Sequence, residues 1–156
     1  MPNYKIYYQS PIGWLEIIAI DKNIIAINFV KQKKAAVRVN SLLKKCCQQL
    51  TEYFQGRRQK FNINFQIQGT NFQQKVWQNL LRVPYSSIMA YQDLATAIGQ
   101  FKAGRAVGQA VNKNKLPIII PCHRVIGSNG QLIGYAGGLW RKKWLIEHER
   151  KLANIS

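Results

Sequence analysis

Acidic residues are scarce in this sequence: only 6 Asp and Glu stand against 23 Lys and Arg, a formal net charge of +17 in 156 residues. Such an excess on a small chain creates a strong field for polyanions, so nucleic acid is the first partner to consider. The charge is spread along the chain rather than held in a tail. It therefore predicts salt-sensitive attraction to a phosphate backbone without base selection. A solubility charge or a membrane-surface protein is the alternative.

Cysteine and histidine are also few. The three cysteines, of which Cys46 and Cys47 are adjacent, make a poor disulfide framework and lack the paired spacing of a zinc site. No histidine precedes His123. A reducing compartment fits this cysteine usage best.

The N-terminus lacks the continuous apolar run of a signal peptide or membrane helix. We therefore expect a soluble, cytoplasmic protein with no membrane partner. Internal repeats and low-complexity segments are not evident either.

The first 69 residues are predicted to form a small domain of antiparallel strands and one helix. Three β-rich runs at residues 4–10, 14–21 and 24–30 are separated by turn signals, which is typical of a meander. Residues 39–54 have helical periodicity that places Cys46 on the buried side, and residues 61–67 alternate like a further strand. A boundary near residue 69 separates this domain from residues 70–156.

The second domain is predicted to be mainly α-helical. One helix begins at Thr70 or Asn71 and stops before Pro84, and two shorter helices follow at residues 91–98 and 102–111. The short pair suggests a helix-turn-helix motif. Its second helix buries Ala103, Ala106, Val107, Ala110 and Val111 and exposes Arg105, Gly108, Gln109 and Asn112.

Two glycines, Gly104 and Gly108, lie in that second helix. A glycine inside a helix costs roughly 1 kcal/mol relative to alanine, so the pair needs a reason. Close approach to a groove wall is one explanation, and close packing against another helix is the other.

A candidate site follows the apolar residues 116–121, where Cys122, His123 and Arg124 stand together at the edge of a core. A free thiol has a pKa near ~8.5, so a reactive Cys122 needs a base or a positive charge. Adjacent side chains of an extended chain point to opposite sides, so His123 would act indirectly, across a turn or through a water. Glu147 or Glu149, on a final helix at about residues 139–150, would orient it. These residues alone leave a structural cysteine as the alternative.

Three linked segments carry a family resemblance: RAVGQA at residues 105–110, PCHRV at 121–125 and GYAGGLWRKKWL at 134–145. In order and spacing, residues 72–149 resemble the O6-alkylguanine-DNA alkyltransferases. The resemblance implies an α+β protein with a ribonuclease H-like N-terminal domain and a winged helix-turn-helix C-terminal domain. It also implies irreversible, single-turnover DNA repair, in which Cys122 takes an alkyl group from O6-alkylguanine without a metal or other cofactor. O4-alkylthymine is a further candidate substrate.

The resemblance also assigns roles to residues. It implies that His123 activates the thiol through a water, that Glu149 rather than Glu147 completes the relay, and that Asn114 shapes the adjacent turn. Arg105 would enter the duplex from the minor groove and fill the space of a flipped nucleotide. Other residues implied at the DNA or at the guanine are Tyr91, Gln73, Gln92, Gln109, Ser128, Val125, Tyr135 and Ala136. The expected partner is double-stranded DNA with alkylated bases, bound by a monomer.

Some positions depart from the family pattern. Lys115 follows Asn114 where proline is usual, Ser86 and Ser87 stand where glycine and a polar residue are common, and Ala136 replaces a serine of some members. Two other functions compete with alkyl transfer. A non-catalytic sensor of alkylated DNA is disfavoured by the presence of Cys122, and a cysteine hydrolase by the adjacency of Cys122 and His123.

Overall fold

The computed structural model describes residues 3–35 and 38–153. The chain divides into two compact units, residues 1–67 and residues 68–156. The predicted boundary after residue 69 lies close to this division and stays a prediction. The first unit contains strands and one helix, and the second contains mainly helices. The protein is therefore of the α+β class, as predicted.

The N-terminal unit is built on a three-stranded antiparallel sheet. Its strands are β1 (Asn3–Ser10), β2 (Gly13–Ile20) and β3 (Asn23–Val30), in the spatial order β1-β2-β3. Alternation along β2 buries Leu15, Ile17 and Ala19 on one face and leaves Glu16 on the other. The predicted meander is confirmed.

Helix α1 (Ser41–Phe54) covers the Leu15 face of this sheet. It begins at Asn40, whose side chain accepts a hydrogen bond from the Leu43 amide. Its predicted apolar stripe is confirmed at Leu43, Cys46, Leu50 and Tyr53, which are fully buried, whereas Val39 precedes the helix and is exposed. Burial raises the pKa of Cys46 to about 12, so this thiol is a packing group without reactivity.

The predicted strand at residues 61–67 is wrong. Only Phe65 bridges the sheet, beside Ile24, through the hydrogen bonds Ile24 N to Asn64 O and Gln66 N to Ile24 O. Earlier in the same segment, the buried Gln49 side chain accepts from the Asn62 amide at 2.9 Å and donates to the Asn62 carbonyl at 2.8 Å. An amide side chain thus satisfies the backbone groups that a neighbouring strand would otherwise pair.

The C-terminal unit contains four helices among its described residues: α2 (Asn71–Leu80), α3 (Tyr91–Ala97), α4 (Gly104–Asn112) and α5 (Leu139–Ala153). Thr70 starts α2 with a capping box, in which Gln73 binds back to the Thr70 amide. Two short parallel strands, β4 (Met89–Ala90) and β5 (Val125–Ile126), join the segments before α3 and after the cysteine. The Trp77 indole donates to the Ala110 carbonyl and ties α2 to α4.

The helix-turn-helix pair is α3 and α4. Gly99 ends α3 with a φ of 75°, a left-handed conformation that glycine adopts without strain. Helix α4 begins two residues later than predicted, and Ala106 is exposed rather than buried, because the inward stripe runs through Val107, Ala110 and Val111. Helix α5 runs three residues beyond its predicted end. None of the helices in the described ranges is long and apolar enough to cross a membrane.

Candidate active site

The loop before Cys122 is held by one buried side chain. Asn114, 6% exposed, accepts a hydrogen bond from the Leu116 amide and donates one to the Ile120 carbonyl, both at 2.9 Å. The loop also contains Ile118 at a φ of 76°, a conformation that a β-branched residue rarely adopts. Asn114 therefore fixes the two ends of a strained loop whose next residues carry the cysteine.

Cys122 opens a short 3-10 turn, Cys122–Arg124, and is only 6% exposed. Burial raises the pKa of its thiol to about 11, although Asn114 and Lys142 act in the opposite direction. The thiol is therefore almost entirely protonated at neutral pH. Any nucleophilic chemistry at this sulfur needs a group that removes the proton.

His123 is that candidate group, because it is fully buried and fixed by a carboxylate. Its Nε2 lies 2.6 Å from Oε2 of Glu149, and its Nδ1 has no hydrogen-bond partner among the described residues. A proton on Nε2 pointing at the carboxylate leaves the lone pair on Nδ1. Burial lowers the pKa of His123, and Glu149 opposes that shift only in part. The imidazole is thus neutral and able to accept a proton at physiological pH.

Glu149 is ionised although it is 1% exposed. Burial alone would raise its pKa, but hydrogen bonds from His123 and Arg124, together with the Arg124 charge, outweigh burial and lower it. Arg124 binds both carboxylate oxygens, Nε to Oε1 at 2.9 Å and Nη2 to Oε2 at 3.0 Å, and the Ser86 amide donates to Oε1 at 3.1 Å. Arg124 also donates to the Val83 carbonyl. The buried negative charge is therefore fully compensated.

The choice between Glu147 and Glu149 is visible in their surroundings. The Glu147 side chain is 64% exposed, and its one ion pair within the described residues is with Lys143, at 3.9 Å. Residues 142, 145, 146 and 149 are buried on α5, which is the i, i+3, i+4, i+7 spacing of one helix face. The sequence alone does not reveal this face, because Lys142 lies on it while the apolar Leu139 and Trp140 of the same helix are exposed.

The same face carries Lys142, which sequence reasoning missed. This buried lysine donates to the carbonyls of Ile133 and Gly134, at 3.0 and 3.2 Å, and lies 3.4 Å from the Tyr91 hydroxyl. Burial lowers the pKa of Lys142 to about 8, and the nearby Cys122 acts against that shift. Lys142 thus connects the segment after β5 to α3 beside the thiol.

The remaining predicted site residues divide into two groups. The first group, Tyr91, Val125 and Tyr135, lies near the thiol. Tyr91 donates to the Ile133 carbonyl at 2.8 Å, and Val125 is buried. Burial raises the pKa of Tyr135 well above its ordinary value, and the charge of Cys122 is the second cause. Ala136 is exposed on the loop that follows. Four others are exposed: Arg105, Gln92, Gln109 and Ser128. Gln92 donates to the Phe101 carbonyl, and Gln73 is engaged in the α2 cap.

Within the described ranges, no group of three or more His, Cys, Asp or Glu side chains could hold a metal ion. The chemistry available here is that of a buried thiol, a neutral histidine and an ionised carboxylate.

Comparisons with known proteins agree on one family. Residues 3–67 match the ribonuclease-like domain of 6-O-methylguanine DNA methyltransferase, and residues 71–151 match its DNA-binding domain. The chain is 44% identical to the constitutive methylated-DNA--protein-cysteine methyltransferase of Bacillus subtilis, with 95% of this chain and 96% of the relative covered. It is 39% identical to a protein of the same name from Methanosarcina acetivorans, with 94% and 97% covered.

Solved structures give the same similarity. The O6-methylguanine methyltransferase of Mycobacterium tuberculosis aligns with a TM-score of 0.88 at 35% identity, over 96% of this chain and 94% of that one. The M. tuberculosis OGT in complex with DNA aligns with a TM-score of 0.85 at 36% identity, over 94% and 92%.

Proposed function

Because this chain belongs to the 6-O-methylguanine DNA methyltransferase family, we propose that Cys122 is the residue to which it transfers a methyl or larger alkyl group from the O6 atom of guanine in DNA. The transfer repairs the damaged base directly. The observation that carries the assignment to Cys122 is its buried thiol beside a neutral His123, which Glu149 orients while Arg124 binds Glu149.

The reaction is a displacement at the alkyl carbon. A bond forms between the Cys122 sulfur and that carbon while the bond from carbon to guanine O6 breaks, and its electron pair stays with the guanine. The thiol proton leaves the sulfur and, in the overall balance, one proton is added to the guanine that departs. The thioether has no leaving group comparable to the base, so each molecule acts once.

His123 serves as the base that takes the thiol proton, through an intervening water. Its Nδ1 carries the lone pair because Nε2 faces Glu149. Glu149 stabilises the imidazolium that forms and orients the ring, as the third group does in other nucleophile-base pairs. Arg124 and the Ser86 amide keep Glu149 ionised and in place.

The guanine side of the site is formed by residues near the thiol. Tyr91 donates a hydrogen bond to the base or its flanking phosphate, Tyr135 stacks beside the flipped base, and backbone groups of Cys122, Val125 and Ala136 contact the guanine edge. Asn114 keeps the loop in the geometry that presents the sulfur.

DNA is bound as a duplex through the minor groove by α4, with one protein molecule per lesion. Arg105, exposed on the first turn of α4, fills the stack after the nucleotide flips out, because a stacked O6 substituent cannot meet a buried thiol. Gln73, Gln92, Gln109 and Ser128 contact the DNA. A reducing cytoplasm suits this reaction, since oxidation would block the thiol.

Replacement of the nucleophile tests the proposal. Cys122→Ser should abolish alkyl transfer from duplex DNA containing O6-methylguanine but keep the affinity for that duplex within about twofold, because the hydroxyl is a far weaker nucleophile of similar size. Cys47→Ser is the control with the same chemical change outside the site, and it should transfer at the wild-type rate. Transfer by the Cys122→Ser variant would contradict the assignment.

A further inference from the structure

Three lysines follow β3 within four residues. Lys31, Lys33 and Lys34, here named the lysine cluster, are all exposed on the segment that leaves the sheet. The chain returns at Arg38, which is also exposed and whose carbonyl accepts a hydrogen bond from the Lys5 amide at the β1 edge. The cluster thus begins the connection from β3 to α1, and Arg38 of this connection pairs with the β1 edge.

A surface depression of about 260 Å³ shows which face of the sheet this connection lies on. Its lining residues are Tyr7, Glu16, Val30, Lys31, Gln32 and Lys34. Tyr7 and Glu16 are cross-strand partners on the face opposite to the buried Leu15, Ile17 and Ala19. Two lysines of the cluster, Lys31 and Lys34, therefore lie on the side of the sheet away from α1.

The one acidic residue in the depression is already compensated. Glu16 accepts hydrogen bonds from the Tyr7 hydroxyl at 2.7 Å and the Asn28 amide at 3.1 Å, and its carboxylate lies 3.5 Å from Lys5. In the described ranges, none of the three lysines of the cluster forms an ion pair or a hydrogen bond through its side chain. Their charges are therefore not engaged by an ion pair within the described part of the chain.

The charge of the lysine cluster and the composition of its surroundings favour one kind of partner. A cluster of cations of one sign is complementary to closely spaced phosphates. Attachment to a membrane surface usually adds apolar anchors, whereas the only large apolar side chain recorded as exposed among the described residues of this unit is Val39. We propose that the lysine cluster of the N-terminal unit is a second DNA-contacting surface, which binds backbone phosphates of duplex DNA in addition to the contacts of α4.

The inference presupposes DNA binding as proposed above, and its test keeps the two apart. The probe is an undamaged duplex, and the measurement is the slope of log affinity against log salt concentration. Replacing Lys31, Lys33 and Lys34 together by Gln should reduce the magnitude of this slope by about 2 to 3, because each phosphate contact contributes roughly 0.9. Replacing the same lysines by Arg keeps the charges and should preserve the slope.

A matched variant controls for net charge alone. Lys22, Lys44 and Lys45 are three exposed lysines of the same unit, and their joint replacement by Gln should change the slope by less than about 1. Equal slopes in the two triple Gln variants would overturn the inference, since diffuse charge would then explain the effect. Wild-type DNA binding by the cluster variant, with loss of binding to vesicles of anionic phospholipid, would overturn it in favour of a membrane.

A phosphate-free substrate separates this inference from the proposed function. Both triple Gln variants should accept the alkyl group of free O6-benzylguanine at the wild-type rate, because that base carries no phosphate. Failure of the wild type to react with both this base and duplex O6-methylguanine would contradict the proposed function and leave the slope comparison valid. Failure of the cluster variant alone would place the lysines in the reaction rather than at a second surface, which would overturn the inference.

Discussion

Glu149 and Glu147 lie two residues apart on one helix, yet their surroundings are opposite. Glu149 is almost fully buried and is bound by His123, Arg124 and the Ser86 amide, while Glu147 is mostly exposed. The charge of Glu149 favours protonated His123, and burial of the ring disfavours it more strongly. One carboxylate thus fixes the tautomer of the base and limits how far its pKa falls.

Replacing Glu149 by Gln should slow alkyl transfer by about 100-fold or more, a magnitude typical of a lost acid-base contribution. It also leaves the Arg124 guanidinium without a carboxylate, so the free energy of unfolding should fall by about 3 to 5 kcal/mol. Glu147→Gln is the matched control and should change neither quantity appreciably. Stopped-flow transfer rates, normalised to the folded fraction from circular dichroism, provide the measurement.

The pH profile distinguishes a role in proton transfer from a purely structural one. The wild-type rate should be level near pH 7 and fall below His123's lowered pKa, which lies under the ordinary value of about 6.5. Since Glu149 raises that pKa, Glu149→Gln should move the acid limb to lower pH. An acid limb that stays in place, or moves to higher pH, would show that the pair does not control the rate.

At the scale of single residues, the sequence predicted the thiol and its two polar neighbours but missed the bonds among them. Arg124 was visible as a cation beside Cys122, yet its bidentate contact with Glu149 depends on packing between segments 25 residues apart. Lys142 was missed because lysine is rarely buried, so its place on the inward face of α5 was given no weight.

Elements with a repeating pattern were predicted well, and the failures have physical causes. The alternation of β2 and the stripe of α1 identify their buried faces directly. Residues 61–67 alternate like a strand, but Gln49 takes the backbone groups of Asn62 that a ladder would need. Short alternating segments are ambiguous for this reason, since a single side chain can replace a strand partner.

The two glycines of α4 are not explained by packing within the chain. A Cβ added at Gly108 would lie 3.9 Å from the Tyr91 ring, and one at Gly104 would lie 3.7 Å from Gln92 Oε1, both ordinary contacts. Close helix packing is therefore disfavoured as the reason for glycine at these positions. Close approach of the α4 backbone to the minor groove remains as the hypothesis.

Gly108→Ala should accordingly increase the free energy of unfolding by about 0.5 to 1 kcal/mol, because alanine loses less backbone entropy in a helix. The same methyl group should weaken binding to duplex DNA while transfer from free O6-benzylguanine stays at the wild-type rate. Thermal unfolding and a DNA titration of the one variant give both results. A lower stability would instead mean that Gly108 is required for packing.

At the scale of the whole molecule, lowering the pH should decrease the free energy of unfolding. The chain already carries +17, and protonation of its six carboxylates and two histidines increases self-repulsion. His123 has a lowered pKa in the folded protein, so its contribution to stability is lost as pH falls below about 6.5, the ordinary value for an unfolded chain. Glu149 also has a lowered pKa, and its contribution is lost as pH falls below its ordinary value of about 4.5.

The midpoint of thermal unfolding should therefore be lower at pH 5 than at pH 7, by about 5 °C, and lower again at pH 4. Calorimetry at constant ionic strength measures the shift. Added salt should recover part of it, since salt screens the exposed charges but not the buried pairs. An unchanged or higher midpoint at pH 5 would contradict the protonation states assigned to the site.

The most direct test of the central claim is peptide mass spectrometry after incubation with duplex DNA containing O6-methylguanine, beside an undamaged duplex. The account predicts one added methyl group on the peptide that contains Cys122, at no more than one per protein molecule and only with the damaged duplex. Methyl groups on Cys46 or Cys47, or none on any cysteine despite tighter binding to the damaged duplex, would contradict it.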